Sequence, residues 1–225
     1  MQKEIPILFS TPMVQALLAG RKTQTRRVVK PQPPSSVNLV RKLGNTYVSS
    51  YPNGATKPFD YQTKCKWSAG DLLWVREAWC GSTATVGMSF TLGVAEGQRM
   101  SFNAYRATYQ GDKPPFGLTW KPSIHMPKSA ARIWLQVESV RVERVRDISE
   151  EDAKVEGVKN YREGGRFIDY LLDHSLCGSA KESFETLWQS INGAESWEAN
   201  PWVWVVSFKV LSTTGKPATV STTTN

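Results

Sequence analysis

Cysteine and histidine are scarce in this chain. Its 225 residues include three cysteines and two histidines. Cys65, Cys80 and Cys177 are odd in number and far apart, which fits reduced thiols better than a disulfide framework. No paired cysteine motif occurs, and His125 and His174 stand alone, so no zinc site or other metal is expected. No apolar run approaches the ~20 residues needed to cross a bilayer. Residues 1–10 lack a basic stretch followed by a long apolar one, so neither a signal peptide nor a membrane contact is expected. The cytoplasm is the expected compartment. No internal repeat is visible. Acidic side chains are the minority, 20 against 28 Lys and Arg, for a net charge of +8. An excess of this size suits an anionic partner such as nucleic acid.

The apolar content is sufficient for a core. Forty percent of residues are hydrophobic, nine of them Trp, which excludes wholesale disorder. The length fits one domain with large loops. Residues 5–9 read as a first strand. Thr11 is positioned to cap a helix with Pro12 in its first turn, and Gly20 supplies the stop. Residues 31–66 are rich in Pro, Ser, Asn, Gly and Lys, and read as a long excursion with a hairpin around 43–50. Ala69-Gly70-Asp71 is a turn, and 72–76 a strand leaving it. Residues 80–120 are loop-like, with a strand in 101–108. From 132 to 144 the alternation Ile133, Leu135, Val137 changes phase at Val140, Val142, the pattern of a long strand around a bulge. Ser149-Glu150-Glu151-Asp152 is a capping box opening a short helix that ends at Glu156-Gly157. Residues 179–191 form an amphipathic helix with Phe184, Leu187, Trp188 and Ile191 on one side. Residues 202–211 are a last strand, and the Thr-rich segment 212–225 is expected to be disordered. This order predicts an α+β domain over 1–211, a mixed β-barrel decorated by short helices, with insertions near 31–66 and 80–130.

The chemistry concentrates in Gly20-Arg21-Lys22-Thr23-Gln24-Thr25-Arg26-Arg27, which carries four cations. Gly-Arg-Lys-Thr is not a phosphate-binding P-loop, because Arg21 separates Gly20 from Lys22 and the upstream glycine is absent. Lys22 and Thr25 make a catalytic pair. A lysine neutralised by burial or neighbouring cations can take a proton from a hydroxyl. A carboxyl group that protonates the leaving group would complete the set. Arg21, Arg26 and Arg27 read as neighbours that lower the lysine pKa, or as phosphate contacts. Trp74 and Arg76 alternate on a strand, an arrangement suited to stacking on a base and holding its phosphate, and equally to a core Trp beside a surface ion pair. His125, between two prolines, sits in a constrained loop where it could touch a substrate.

Four islands carry a family resemblance. Leu18-Ala19-Gly20-Arg21-Lys22-Thr23-x-Thr25-x-Arg27, Gly70-Asp71-Leu72-Leu73, the stretch from Ile148-Ser149-Glu150 to Glu156, and Val203-Trp204-Val205-Val206-Ser207-Phe208-Lys209 resemble the ASCH domain. Within it they are most similar to the small bacterial N4-acetylcytidine amidohydrolases. The resemblance implies a PUA-like β-barrel, with Lys22 as proton acceptor, Thr25 as nucleophile and Glu156 as proton donor. Glu150, Glu151 and Asp152 compete with Glu156 for the last role. It implies no cofactor. It also implies a modified nucleoside or nucleic acid as partner, RNA before DNA. The chain is about twice the family's minimal length, and its texture also resembles ASCH proteins of phages and prophages. Two functions from different classes follow: hydrolysis of an N-acyl group on a modified cytosine nucleoside, or non-catalytic reading of RNA or modified DNA. A third, a partner-binding phage factor, has no discriminating feature in the sequence.

Overall fold

Hydrophobic alternation builds one central sheet, with the first helix packed into the apolar cluster of one face and the two later helices into that of the other. The computed structural model describes residues 2–37, 39–43, 46–58, 65–85, 99–111, 113–161 and 165–218. In chain order its elements are β1 (Glu4–Leu8), α1 (Thr11–Leu18), β2 (Gln24–Val28), β3 (Leu39–Leu43), β4 (Thr46–Ser50), β5 (Thr56–Pro58), β6 (Leu72–Arg76), β7 (Trp79–Thr85), β8 (Arg99–Tyr105), β9 (Trp134–Arg144), α2 (Glu150–Val155), β10 (Asn160–Tyr161), β11 (Arg166–Ile168), β12 (Leu176–Cys177), α3 (Ala180–Asn192) and β13 (Trp202–Ser212). The class is α+β with a mostly sheet core. Among the described residues no helix is long and apolar enough to cross a membrane.

The central sheet runs β1-β6-β9-β13-β2. β1 lies parallel to β6, and the other neighbours are antiparallel. The phase change read in the sequence is a bulge. Ser207 pairs with Ser139 and Phe208 with Val137, so Glu138 is the extra residue. Ile7, Leu73, Val75, Leu135, Val137, Trp204, Val206 and Phe208 pack into one large cluster. On β13 the alternate residues Val203 and Val205 belong to a second cluster, with Phe184, Leu187 and Trp188 of α3 and Ala153 of α2. Trp79, Met126, Ala130 and Ala131 form a third, smaller one, against which Trp74 packs.

The expected closed barrel is not formed among the described residues. β1 and β2 are the two ends of the sheet, and no ladder joins them. Instead the Arg27 Nη2 donates to the Leu8 carbonyl at 2.7 Å, so a side chain spans the two edges where a barrel would have backbone pairing. Other expectations shift locally. The first helix is N-capped by Ser10, not Thr11, and no side-chain cap bond forms, because Thr11 already lies inside the helix. Residues 31–66 hold a three-stranded sheet, β3-β4-β5, rather than one hairpin. The strand expected at 101–108 runs from Arg99 to Tyr105 and pairs with β7. Ile191 is half-exposed, although it shares a helix side with Phe184 and Trp188. Beyond β13 the Gly215 N–H donates to the Arg132 carbonyl, and Lys216 pairs with Glu4. Residues 219–225 of the expected tail lie outside the described residues.

Candidate active site

Each local turn of the chain brings one reactive group inward. The N–H groups of Arg21 and Lys22 both donate to the Ala16 carbonyl, so α1 ends in a tight turn around Gly20, whose φ is +70°. That turn drives Lys22 into the interior, where it is fully buried. Thr23 then joins two elements, its N–H donating to the Val155 carbonyl and its carbonyl accepting from Phe208. From the other side, Ser149 caps α2 by accepting from the Asp152 N–H. Glu156 is the C-cap residue of that helix, and Gly157 follows with φ +98°. A Cβ at Gly157 would meet Ala16 at 2.9 Å and the Lys22 Cβ at 3.0 Å, so glycine lets α2 close against the lysine.

The two expected catalytic charges therefore touch. Lys22 Nζ donates to Glu156 Oε2 at 2.9 Å and to the Glu156 carbonyl at 2.7 Å. The Phe9 ring lies 5.6 Å away. Burial pulls the Lys22 pKa below its usual value. The Glu156 carboxylate opposes that shift, and Arg27 and Arg26 reinforce it. Two acceptors match the two N–H groups of a neutral amine, whereas an ammonium carries three. Glu156 is itself buried, and its second oxygen accepts from Arg26 Nη1 at 3.0 Å. Of Glu150, Glu151, Asp152 and Glu156, Glu156 is the one that contacts Lys22. Glu150 accepts from the Ala180 and Lys181 N–H groups at the start of α3, Glu151 is exposed, and Asp152 pairs with Arg26 and Arg141.

A cavity of about 70 Å³ adjoins this cluster. Thr25 and Glu156 line it together with Arg26, Arg27, Phe184 and Trp188. The half-exposed Ile191 and exposed Asn192, at the end of α3, also line it. Lys22 is not among the lining side chains and meets the cavity through Glu156.

The arginines of the motif are engaged within the protein. Arg21 donates to the Gly157 carbonyl at 2.8 Å and the Val158 carbonyl at 3.3 Å. Arg26 is buried, lies over the Phe184 ring and bonds to Glu143, Asp152 and Glu156. Burial pulls its pKa down, but Glu156 and Glu143 outweigh that, and the net shift is upward. Arg27 spans the sheet edges as described. Trp74 and Arg76 point to the face of β6 opposite Leu73 and Val75, which sit in the large cluster. There Arg76 lies over the Trp74 ring and donates to the Ile124 carbonyl. His125 is exposed in the adjoining short turn Ser123–His125. None of these three residues lines the cavity.

Three participants were missed in the sequence. Arg141 and Glu143 on β9 and Gln24 on β2 complete the ion network. Arg141 bonds to Glu143 Oε2 at 3.0 Å, to Gln24 Oε1 at 3.0 Å, and to Asp152. Val205 of β13 pairs with Arg141 on one side and Arg26 on the other, so the two arginines stand in one row across the sheet. The alternation of Arg141 and Glu143 with Val140 and Val142 was the available signal. Among the described residues no three His, Cys, Asp or Glu side chains are gathered to hold a metal. No family model, curated protein or solved structure matches the chain.

Proposed function

We propose that this chain is an amidohydrolase that removes an N-acyl group from a modified cytosine nucleoside, on a PUA-like (ASCH) core. The observation that carries the reading is the buried Lys22–Glu156 contact beside a cavity that Thr25 and Glu156 line together. In the reaction, neutral Lys22 takes the Thr25 hydroxyl proton as the oxygen attacks the acyl carbon. The 2.9 Å contact passes a proton on to Glu156, which delivers it to the departing N4 amine. The acyl-threonine ester left behind is opened by water, whose proton travels back through Lys22 to the Thr25 oxygen. No metal or organic cofactor takes part. The cavity has room for a few water-sized groups, so the acyl-bearing edge of the base enters while the sugar stays outside. The positive net charge favours a nucleoside carried in RNA or bearing phosphate.

Thr25→Val tests the reading, because it removes the hydroxyl and keeps the shape. Wild-type protein is expected to release acetate from N4-acetylcytidine. The variant should melt at the wild-type temperature and turn over at least ~100-fold more slowly. Turnover unchanged in the variant, or no turnover in the wild type, would defeat the reading. A second reading is favoured by one observation: both Glu156 oxygens are already engaged, by Lys22 and Arg26. On that reading the cluster is a structural keystone and the protein is a non-catalytic reader of RNA. Salt-sensitive RNA binding without any hydrolysis would select it.

A further inference from the structure

Trp74 and Arg76 take no part in the proposed reaction, and they adjoin a strongly one-sided stretch of charge. Residues 76–132 hold seven Lys and Arg against three acidic residues, a net +4 of the chain's +8 in about a quarter of its length. Glu77, the acidic residue of this segment that the structure describes, is buried and held by two 2.9 Å bonds from Arg132. Its charge is neutralised inside. Arg76, Arg106 and Lys121 pair with no carboxylate among the described residues and lie over rings instead. Arg76 is 5.6 Å from the Trp74 centroid, Arg106 5.9 Å from Trp120, and Lys121 5.2 Å from Trp79. A ring face attracts a cation without cancelling its charge. The backbone gathers the three pairs. Lys121 and Trp79 exchange N–H bonds of 2.7 and 3.2 Å, the Arg106 N–H donates to the Ala78 carbonyl at 2.9 Å, and Arg76 donates to the Ile124 carbonyl. All three cations therefore meet the stretch from Trp120 to Ile124, which spans at most ~18 Å. Lys121, Pro122 and Ile124 are exposed there, and Trp74 and Trp120 are half-buried. Cations interleaved with aromatic faces match a chain that repeats a phosphate and a flat base. An acidic peptide brings charge without the bases, and a duplex hides their faces.

We propose that this face docks single-stranded RNA, with its phosphates on Arg76, Arg106 and Lys121 and its bases against Trp74, Trp120 and Ile124. The choice of RNA over DNA rests on the proposed function; the docking of a single strand does not. The face adjoins the site through Phe9. The Phe9 N–H donates to the Arg76 carbonyl at 3.0 Å, and its ring carries both Lys22 and Arg27. A strand held there keeps its modified nucleoside near the cavity that Arg27 lines.

The probe is a fluorescently labelled, unstructured RNA of about 15 nucleotides, enough to cover one single-strand site. The face variant, Arg76→Gln/Arg106→Gln/Lys121→Gln, removes three charges. A control, Lys154→Gln/Lys159→Gln/Lys209→Gln, removes as many from exposed lysines outside both the face and the cavity. Anisotropy is read across a range of salt concentrations. Wild type is expected to bind at low salt. The face variant should bind at least ~30-fold more weakly, and its slope of log K against log salt should shrink by about 2, at ~0.7 per single-strand phosphate contact. The control should keep nearly the wild-type affinity. No binding by wild type, or equal losses in the two variants, overturns the proposal. Tighter binding of DNA of the same sequence overturns the assignment to RNA. A second arm uses the unaltered protein, photocrosslinked to the same RNA carrying 4-thiouridine. Crosslinked peptides should fall within residues 74–79 and 120–125. Crosslinks confined to other segments overturn the proposal even if the face variant fails to fold. Free N4-acetylcytidine separates the two readings, because the face variant should turn it over as wild type does. RNA docking on this face without turnover defeats the hydrolase reading alone. Turnover with an RNA affinity that the face variant retains defeats this assignment alone.

Discussion

Lys22 is the residue on which the chemistry and the stability meet. A lysine with no exposed surface costs its full hydration if charged, and here one carboxylate and one carbonyl are the acceptors that offset it. Burial, reinforced by the two guanidiniums nearby, outweighs the carboxylate and pulls its pKa below the usual 10.5. If Lys22 is the base, kcat/KM on N4-acetylcytidine should rise with pH along a limb whose midpoint lies below 10.5. The linked stability has a definite sign. Between the lowered folded value and the ordinary unfolded one, the unfolded chain binds a proton that the native one does not. Lys22 therefore makes unfolding harder as pH rises through that window. Both curves are measured on one sample, by initial rates and by denaturant midpoints. A rising limb centred at or above 10.5 would mean that Lys22 is not the base.

At the scale of elements, the site is a junction between the end of α1 and the end of α2, and Gly157 sets how closely they meet. Its φ of +98° and the 2.9–3.0 Å approach of a hypothetical Cβ to Ala16 and Lys22 leave no room for a side chain. Gly157→Ala combines a left-handed backbone penalty with overpacking, a loss of roughly 2–4 kcal/mol. Denaturant unfolding should show that loss, and activity per folded molecule should fall with it, because Glu156 is the preceding residue. A stable, fully active Gly157→Ala protein would show that the junction tolerates a wider gap. The same scale explains what the sequence disclosed. The helix stop at Gly20, the Ser149 cap and the end at Glu156 are local signals, and local hydrogen bonds determine them. The bulge near Glu138 was legible because burial on one face forces the phase of the alternation. Arg141 and Glu143 were not legible as site residues, since β13 comes between β9 and β2 and the pairing is fixed only by the whole sheet. Trp188 read as core from its helix face, and it is buried in the second cluster with Phe184 and Leu187.

Across the whole molecule, the first edge strand of the open sheet is laddered to β6 on its inner side and tied further by charge. Glu4 on β1 pairs with Lys128 from the turn Lys128–Ala130 and with Lys216 beyond β13, so one carboxylate ties together three distant parts of the chain. Both lysines also lie over the Trp134 ring, at 5.8 and 5.7 Å. The hydrogen bonds from Lys128, then Lys216, hold the Glu4 carboxyl below its usual 4.5. A depressed carboxylate stabilises the native state above its unfolded pKa, and the contribution is lost as pH falls through the folded value. Its side chain is a quarter exposed, so solvent screens the pair and the contribution is about 1 kcal/mol or less. Glu4→Gln should therefore lower the melting temperature slightly near neutral pH, and less so in high salt. The difference between the two proteins should vanish as the solution is acidified below the folded pKa of Glu4. If the difference persisted undiminished at that acidity, Glu4 would act through packing at the sheet edge rather than through charge.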